Sequence, residues 1–437
     1  MNEYQLYIKQ AWHLLRQNRF FSGVYIIGTG LAISMVMALA VVYHIQTANI
    51  APENHRDRMC YLSWATYAYN GKNGTYNSAL GIRYVKEIIS SLEIPEAITV
   101  TSRPVYSFLY GDEMFAQVPG DEESPKIFFM ACDANFWRVY DFRFLDGKPF
   151  DRSDFDSGLR RVVLCRSLAR QLFGREAVSG EIVRLNEVDY TVCGVVADVS
   201  GALSDVYAQA WLPYSSMTQF MDESKGERNA SVGDLQANIL LRDKRDLPLV
   251  QAELEEAIKR YNTTLVDGQL RADEKIRPHG LSVMGIDREK AYWLMALFLL
   301  LFLLVPALNI SGLNTSQIQD RMTEIGIRRA FGAPRGTLFK QIFVENLMLM
   351  LPGGLVGLFF SYGIVYLYKN ILLVTDSFAL RSGMGDTITL SGGMLLNWRV
   401  FLAALAVCLV LNLLSSLVPV WRAVRKDIVW SLNMSNR

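Results

Sequence analysis

Residues 20–52 read FFSGVYIIGTGLAISMVMALAVVYHIQTANIAP, from Phe20 to Pro52, without one Asp, Glu, Lys or Arg. That run exceeds the roughly 18 uncharged residues that mark a membrane-spanning helix, and as a helix it can cross a hydrocarbon core of about 30 Å. Three more runs share the property: Ala291–Gln319, Asn346–Tyr368 and Val400–Trp421. Core helices of soluble domains rarely stay uncharged this long, so four together read as four transmembrane helices. Pro306, Pro352 and Pro419 lie inside three of them, which a membrane bundle tolerates better than a soluble helix does. Gly353 and Gly357 form a GxxxG spacing, and Gly23, Gly28 and Gly30 line the first run, so backbones can approach closely there, a dimer face being one use.

These runs account for a composition that is too apolar for a soluble domain, with 51% hydrophobic and 20% charged residues over 437 positions. The net charge of +1, from 44 basic and 43 acidic residues, removes a whole-protein electrostatic case for nucleic acid. The first run is too long for a signal-peptide core of about 7–15 residues and reads as an uncleaved anchor. Ahead of it, Tyr4, Ile8, Ala11 and Leu15 recur at helical spacing with Lys9, Arg16 and Arg19 outside that face, the pattern of an amphipathic helix on a membrane surface.

Basic residues in short connections set the orientation. Lys9, Arg16 and Arg19 precede the first span, Arg321, Arg328, Arg329, Arg335 and Lys340 lie between the second and third, and Arg422, Arg425, Lys426 and Arg437 follow the fourth. Both termini and the 316–339 loop are therefore expected in the cytoplasm. The expected plan is a cytoplasmic amphipathic helix (1–19), spans at 20–48, 291–315, 340–368 and 398–422, an outer domain at 49–290, a coupling loop at 316–339, a short outer loop at 369–397 and a cytoplasmic tail at 423–437. The fold class is an integral membrane α-helical protein carrying a large α+β extracytoplasmic domain.

Within that domain, Tyr84–Leu92 and Leu247–Tyr261 read as helices, the second presenting Leu249 or Val250, Leu254, Ala257 and Ile258 on one face. Strands are expected at Ala97–Thr101, Lys126–Ala131, Arg161–Cys165, Glu181–Leu185, Tyr190–Ala197 and Leu235–Leu241, with a helix over Ser167–Phe173. Residues 76–110 and 235–285 look like matching pieces around a β-rich middle, which predicts two lobes. Cys60, Cys132, Cys165, Cys193 and Cys408 have no zinc-binding spacing, and free buried thiols are favoured over a Cys165–Cys193 pair. His13, His44, His55 and His279 lack partner spacing and read as structural, so no metal site is expected.

No G-x-x-x-x-G-K-[ST] phosphate loop and no G-x-S-x-G elbow occurs in the sequence, and the spans lack internal ionisable residues apart from His44 near one end. An enzyme or an ion relay is accordingly not expected. The informative stretch is Asp320-Arg-Met-Thr-Glu-Ile-Gly-Ile-Arg-Arg-Ala-Phe-Gly-Ala-Pro334. Acidic residues at its start and arginines later match a helix dipole, and Gly326, Gly332 and Ala333 permit close approach of another protein. The plain alternative is a basic loop that only fixes topology.

The core Thr323-Glu-Ile-Gly-Ile-Arg-Arg-Ala-Phe-Gly-Ala333, with Glu345-Asn and Pro352-Gly-Gly-Leu-Val-Gly357, resembles the permease domain of the MacB/FtsX family of ABC transporters. Val418-Pro-Val-Trp-Arg-Ala423 resembles the last span and tail of that family. Asn135–Phe150 and Val162–Asp198, including Leu168-Ala-Arg-Gln-Leu-Phe-Gly174, resemble its periplasmic core domain. The resemblance implies a non-catalytic inner-membrane permease of the unfused kind, with no cofactor of its own. ATP and magnesium would be held by a separate cytoplasmic ATPase. It further implies pairing with a second permease copy, lipid contact, and a periplasmic adaptor and outer-membrane channel as further candidate partners, with no nucleic acid. Carried over residue by residue, Glu324, Ile325, Gly326, Ile327, Arg328, Arg329, Ala330, Gly332 and Ala333 would form the coupling helix against the ATPase. Phe331 departs from the more usual leucine. Export of antibiotic, peptide or lipoprotein-like substrates from the periplasmic side is the implied function, by mechanical transmission. The alternative is a regulator that activates a periplasmic partner and transports nothing.

Overall fold

The computed structural model describes residues 19–70, 74–102, 113–223, 230–280, 334–373 and 387–390, with isolated positions between 293 and 332 and between 394 and 410. The chain divides into two compact units, one of Met1–His44, Arg288–Leu372 and Ser391–Arg437, the other of Ile45–Asp287 and Leu373–Leu390.

Among the described residues, the first unit carries two long helices, α1 (Arg19–Thr47), whose last turn runs into the outer unit, and the bundle helix (Arg335–Leu372). Each is long and apolar enough to cross a membrane, over Ser22–Thr47 and Leu351–Leu372. The 38-residue bundle helix starts directly after Pro334, so Lys340 and Glu345 fall inside it and it outruns the apolar stretch that betrays it in sequence. The spans expected at 291–315 and 398–422 lie largely outside the described residues, as does the amphipathic helix at 1–19. The two helices cross where glycines remove side-chain bulk. A Cβ on Gly357 would stand 2.8 Å from the Gly30 carbonyl oxygen, and one on Gly30 would stand 3.0 Å from that of Gly353. The Gly353/Gly357 pair is thus spent on packing within the chain. Ile33, Val36 and Met37 continue the contact against Leu358, Phe401 and Leu405.

The outer unit is α+β. Its first strands are β1 (Met59–Leu62), β2 (Ala65–Tyr69) and β3 (Thr75–Leu80), followed by helix α2 (Ile82–Glu87) and β4 (Ala97–Ser102). The middle supplies β5 (Met114–Gln117), β6 (Lys126–Ile127), β7 (Phe129–Cys132), α3 (Phe136–Val139), β8 (Phe144–Gly147), α4 (Arg152–Asp156), β9 (Arg161–Cys165), α5 (Arg166–Phe173), β10 (Ile182–Leu185), β11 (Val188–Val196), β12 (Ala210–Pro213) and α6 (Thr218–Met221). The chain returns through β13 (Val232–Gly233), β14 (Leu235–Leu240), α7 (Leu247–Asn262), β15 (Gly268–Leu270) and β16 (Arg277–Pro278). Strand order is β15-β2-β3-β14-β4-β7-β12-β9-β11-β10-β5-β6, with β1 between β14 and β16 and β8 on β11. Strands from the two ends of the segment therefore pair among themselves, and they meet the middle at Thr101↔Cys132 of β4 and β7.

Local chemistry explains the elements. On α7, Val250, Leu254, Ala257, Ile258 and Tyr261 are buried while Leu249 is 57% exposed, which settles the helix face. The Leu168–Gly174 motif is α5 with its terminus: Gly174 takes φ 70°, the left-handed cap that ends a helix. Asp198 closes the other end, its carboxylate accepting from the Ser167 backbone N–H at 2.8 Å. Trp137 packs edge-to-face against Phe136, Phe142 and Trp211 in the middle, and Phe142 does the same against Trp211. Cys60, Cys132, Cys165 and Cys193 are free thiols. Cys193 lies at the bulge where the β9–β11 register shifts, and its thiol donates to the Val162 carbonyl at 3.3 Å.

Candidate functional site

Two places are candidates: the expected coupling segment, and the entry and exit of the outer unit. Of the expected coupling loop, residues 335–339 form the start of the bundle helix, and before Pro334 the structure describes Ile327, Phe331 and Gly332. The Phe331 backbone N–H donates to the Ile327 carbonyl at 3.1 Å, a helical i to i−4 bond. Gly332 follows at φ 85°, a conformation that suits glycine and ends the turn. Ile327 is 45% and Phe331 90% exposed. Glu324, Ile325, Gly326, Arg328, Arg329, Ala330 and Ala333 lie outside the described residues. Phe331 did not figure among the carried-over contact residues, although an aromatic in place of an aliphatic residue beside the arginines was a signal to include it.

The second place is at the entry and exit of the outer unit. α1 ends at Thr47, leaving terminal carbonyls without intrahelical donors. Arg56 supplies them: its Nη1 donates to the Ile45 carbonyl at 2.7 Å and to the Ala48 carbonyl at 3.1 Å. Its Nε donates to Glu53 Oε2, making an ion pair with side chains 2% and 1% exposed. His279, two residues beyond the start of β16, donates from Nε2 to the Gln46 carbonyl at 2.9 Å. A carbonyl can only accept, so Nε2 carries a proton, and Nδ1 faces the Tyr61 hydroxyl at 3.1 Å and Asp205 Oδ2 at 3.6 Å. Tyr61 sits on β1, which pairs with β16 at Tyr61↔Arg277. The end of α1, the first strand and the last strand are thereby tied together.

The electrostatics follow from burial. Desolvation pushes the Glu53 carboxyl up, Arg56 opposes this and the nearby Asp205 charge adds to it. Burial also holds the Tyr61 hydroxyl neutral, well above its ordinary range. These residues come from positions 53 to 279 and form no motif. The sequence carried one trace of them: Glu53 and Arg56, at i, i+3, are the first charges after the uncharged 20–52 run. His279, read as structural for want of partner spacing, finds its partners through the fold.

A family model described as MacB-like periplasmic core domain matches residues 22–257, and one described as FtsX-like permease C-terminal matches residues 296–428. The chain belongs to the MacB/FtsX family of ABC transporter permeases. MacB/FtsX proteins are inner-membrane proteins with a periplasmic domain, and they provide the permease component of ABC transporters.

Among MacB/FtsX relatives, the macrolide export ATP-binding/permease protein MacB of Chromobacterium violaceum is 28% identical over 55% of this chain and 35% of its own length. An uncharacterized ABC transporter permease, YknZ of Bacillus subtilis, is 23% identical over 80% of this chain and 76% of its own. The pyoverdine export ATP-binding/permease protein PvdT of Pseudomonas syringae pv. tomato is 21% identical over 97% of this chain and 59% of its own. The chain thus spans about a third of the MacB protein. The crystal structure of the periplasmic region of MacB from Actinobacillus actinomycetemcomitans aligns with a TM-score of 0.33 at 17% identity, covering 48% of this chain and 89% of that one.

Proposed function

We propose that the chain is the force-transmitting permease subunit of a MacB-type exporter, working as a dimer with a separate cytoplasmic ATPase that holds ATP and magnesium. Closure of the ATPases moves the segment around Glu324–Ala333, the spans carry the motion, and the outer unit acts on an antibiotic, peptide or lipoprotein-like substrate on the periplasmic side. Both termini are cytoplasmic in this reading. The observation that carries it is the tie at the outer unit's entry and exit: Arg56 holds the Ile45 and Ala48 carbonyls and His279 holds that of Gln46, so displacement of the α1 end reaches β1 and β16 directly. Macrolide and pyoverdine export by relatives supports an export role.

The test is co-purification of the ATPase from native membranes, followed by reconstitution in proteoliposomes. Glu324→Ala and Arg328→Ala are expected to insert normally and to uncouple ATP hydrolysis from substrate movement. Variants that hydrolyse and transport as wild type sink the lever assignment. Recovery of a periplasmic hydrolase that is activated by ATP while no substrate moves establishes the regulatory alternative instead.

A further inference from the structure

The buried group around His279 has the donors of a metal site. A carboxylate oxygen of Glu53, one of Asp205 and a ring nitrogen of His279 lie within 4.8 Å of one another. Three observations point to a ligand there. Nδ1 of His279 is directed towards Asp205 and can serve as a ligand, because Nε2 is the nitrogen that donates to the Gln46 carbonyl at 2.9 Å. This backbone anchor on the far nitrogen is the usual outer partner of a metal-binding imidazole. Next, Asp205 Oδ2 stands 3.6 Å from that Nδ1. A zinc ion takes nitrogen and oxygen ligands at about 2.0–2.2 Å, so two ligands on one tetrahedral or trigonal ion are about 3.4–3.6 Å apart. Finally, Glu53 Oε1 is buried with no hydrogen-bond partner, while Oε2 is taken by Arg56, and the whole residue is 1% exposed. Leaving a buried carboxylate oxygen without a partner is costly.

Charge and space agree. Two carboxyl groups, Glu53 fully buried and Asp205 with its side chain 21% exposed, share the single guanidinium of Arg56. The Arg56 bonds go elsewhere, Nε to Oε2 and Nη1 to two carbonyls, and Oε1 is left without a partner. A cavity of about 10 Å³ lined by Gln46, Arg56, Asp205 and His279 adjoins the group, near the lower limit of roughly 10–15 Å³ for one water-sized sphere.

We propose that Glu53 Oε1, Asp205 and His279 Nδ1 bind one divalent transition-metal cation of the zinc class, which locks the α1 end to the 205 turn and to β16. Imidazole with carboxylates suits such an ion better than calcium or magnesium, which favour all-oxygen sets. On binding, the ion replaces the Tyr61 hydroxyl as the partner of Nδ1. The site stands independently of the export reading, because it rests on donors within the outer unit.

The full chain, purified in lipid nanodiscs and stripped with EDTA, is titrated with Zn²⁺ and separately with Co²⁺, Ca²⁺ and Mg²⁺. One Zn²⁺ per chain is expected by elemental analysis after dialysis, with a raised Tm, and Co²⁺ is expected to give the visible bands of a low-coordinate site. Asp205→Asn, at a side chain 21% exposed, is expected to keep the circular dichroism of the wild type and to bind Zn²⁺ at least tenfold more weakly. His279→Gln retains a donor for Gln46 and is expected to behave likewise. Absence of stoichiometric Zn²⁺ and of the Co²⁺ bands in the wild type overturns the proposal without reference to any variant. Unchanged binding in Asp205→Asn, or saturation by Ca²⁺ or Mg²⁺ in preference to Zn²⁺, overturns it as well.

Discussion

His279 Nε2 lies 2.9 Å from the carbonyl oxygen of Gln46, a bond between residues 233 positions apart that joins the way into the outer unit to the way out. Neither residue belongs to a motif. The bond works because a helix end offers carbonyls without intrahelical donors, and any donor brought there by the fold is satisfied in turn. Arg56 exploits the same deficit with a full positive charge, which the helix dipole also favours. The tie is therefore a consequence of where α1 stops.

Arg56→Ala is expected to be among the most destabilising single changes in the outer unit, by about 3–5 kcal/mol, because it strands the Glu53 carboxylate in the interior and leaves the Ile45 and Ala48 carbonyls without donors. Replacing both partners, as in Glu53→Gln with Arg56→Met, removes the stranded charge and is expected to cost less than Arg56→Ala alone. Denaturant midpoints of the two singles and the double, read as a cycle, check this. A double variant less stable than both singles would show that the ion pair is not what Arg56 contributes.

What could be read from the sequence divides along physical lines. Elements with their own periodicity were legible: β9, β11, β14 and α7 follow the alternations or the 3.6-residue spacing of their apolar residues. The helix expected over 84–92 begins earlier, at Ile82, and tightens into a 3-10 turn at Ile89–Ser91, because Pro95 and the packing of Ile88 and Ile89 act from outside the segment. Short strands such as β1, β2, β8 and β12 exist because neighbours pair with them and carry little signal of their own. Beyond the Glu53 and Arg56 pair, the group with Asp205 and His279 was illegible for the same reason, since only the fold brings its three segments together.

The crossing of α1 with the bundle helix makes a prediction that separates packing from mere flexibility. Gly357→Ala places a methyl 2.8 Å from the Gly30 carbonyl oxygen, a backbone atom that cannot swing aside. Gly363, in the same helix, has nothing within 4 Å of a built Cβ. Gly357→Ala is expected to destabilise the folded permease by about 1–3 kcal/mol, and Gly363→Ala to be neutral or slightly stabilising, since alanine is the better helix former. Thermal unfolding in detergent, followed by size exclusion, reads both. Equal effects at the two glycines would show that the helices do not touch at Gly357.

Asp133 supplies a pH dependence. Its carboxylate accepts from the Thr99 hydroxyl at 2.6 Å, the Val100 N–H at 3.1 Å and the Phe136 N–H at 3.2 Å, joining β4 to the start of α3. Burial outweighs these bonds and pushes its pKa up to about 6. A raised folded value means that the folded state holds the proton more tightly than the unfolded chain. The contribution is complete below the unfolded value of about 4 and is lost as pH rises through about 6. Asp133→Asn cannot take up this proton and turns an amide donor towards the Val100 N–H. The wild type is thus expected to be more stable than the variant, with a Tm advantage that is larger at pH 4.5 than at pH 7. An advantage independent of pH in that window would show that the Asp133 carboxyl titrates normally.

Phe331 offers the sharpest test of the coupling segment. An aromatic side chain 90% exposed next to a turn-ending glycine gains nothing from the fold around it, so its removal should leave stability within about 0.5 kcal/mol. If the ring is instead buried on the ATPase, Phe331→Ala removes an anchor of the kind that dominates protein interfaces, worth about 2 kcal/mol or more, or a loss of about thirtyfold in affinity. Gly332→Ala acts differently. It strains a residue held at φ 85° and is expected to disturb the end of the helix itself, by about 1 kcal/mol. Binding of the purified ATPase to nanodisc-embedded permease, measured beside Tm for both variants, separates the two effects. A Phe331→Ala protein that binds the ATPase as tightly as wild type would place the contact on the arginines alone, and a Phe331→Ala protein with a lowered Tm would show that the ring serves the fold.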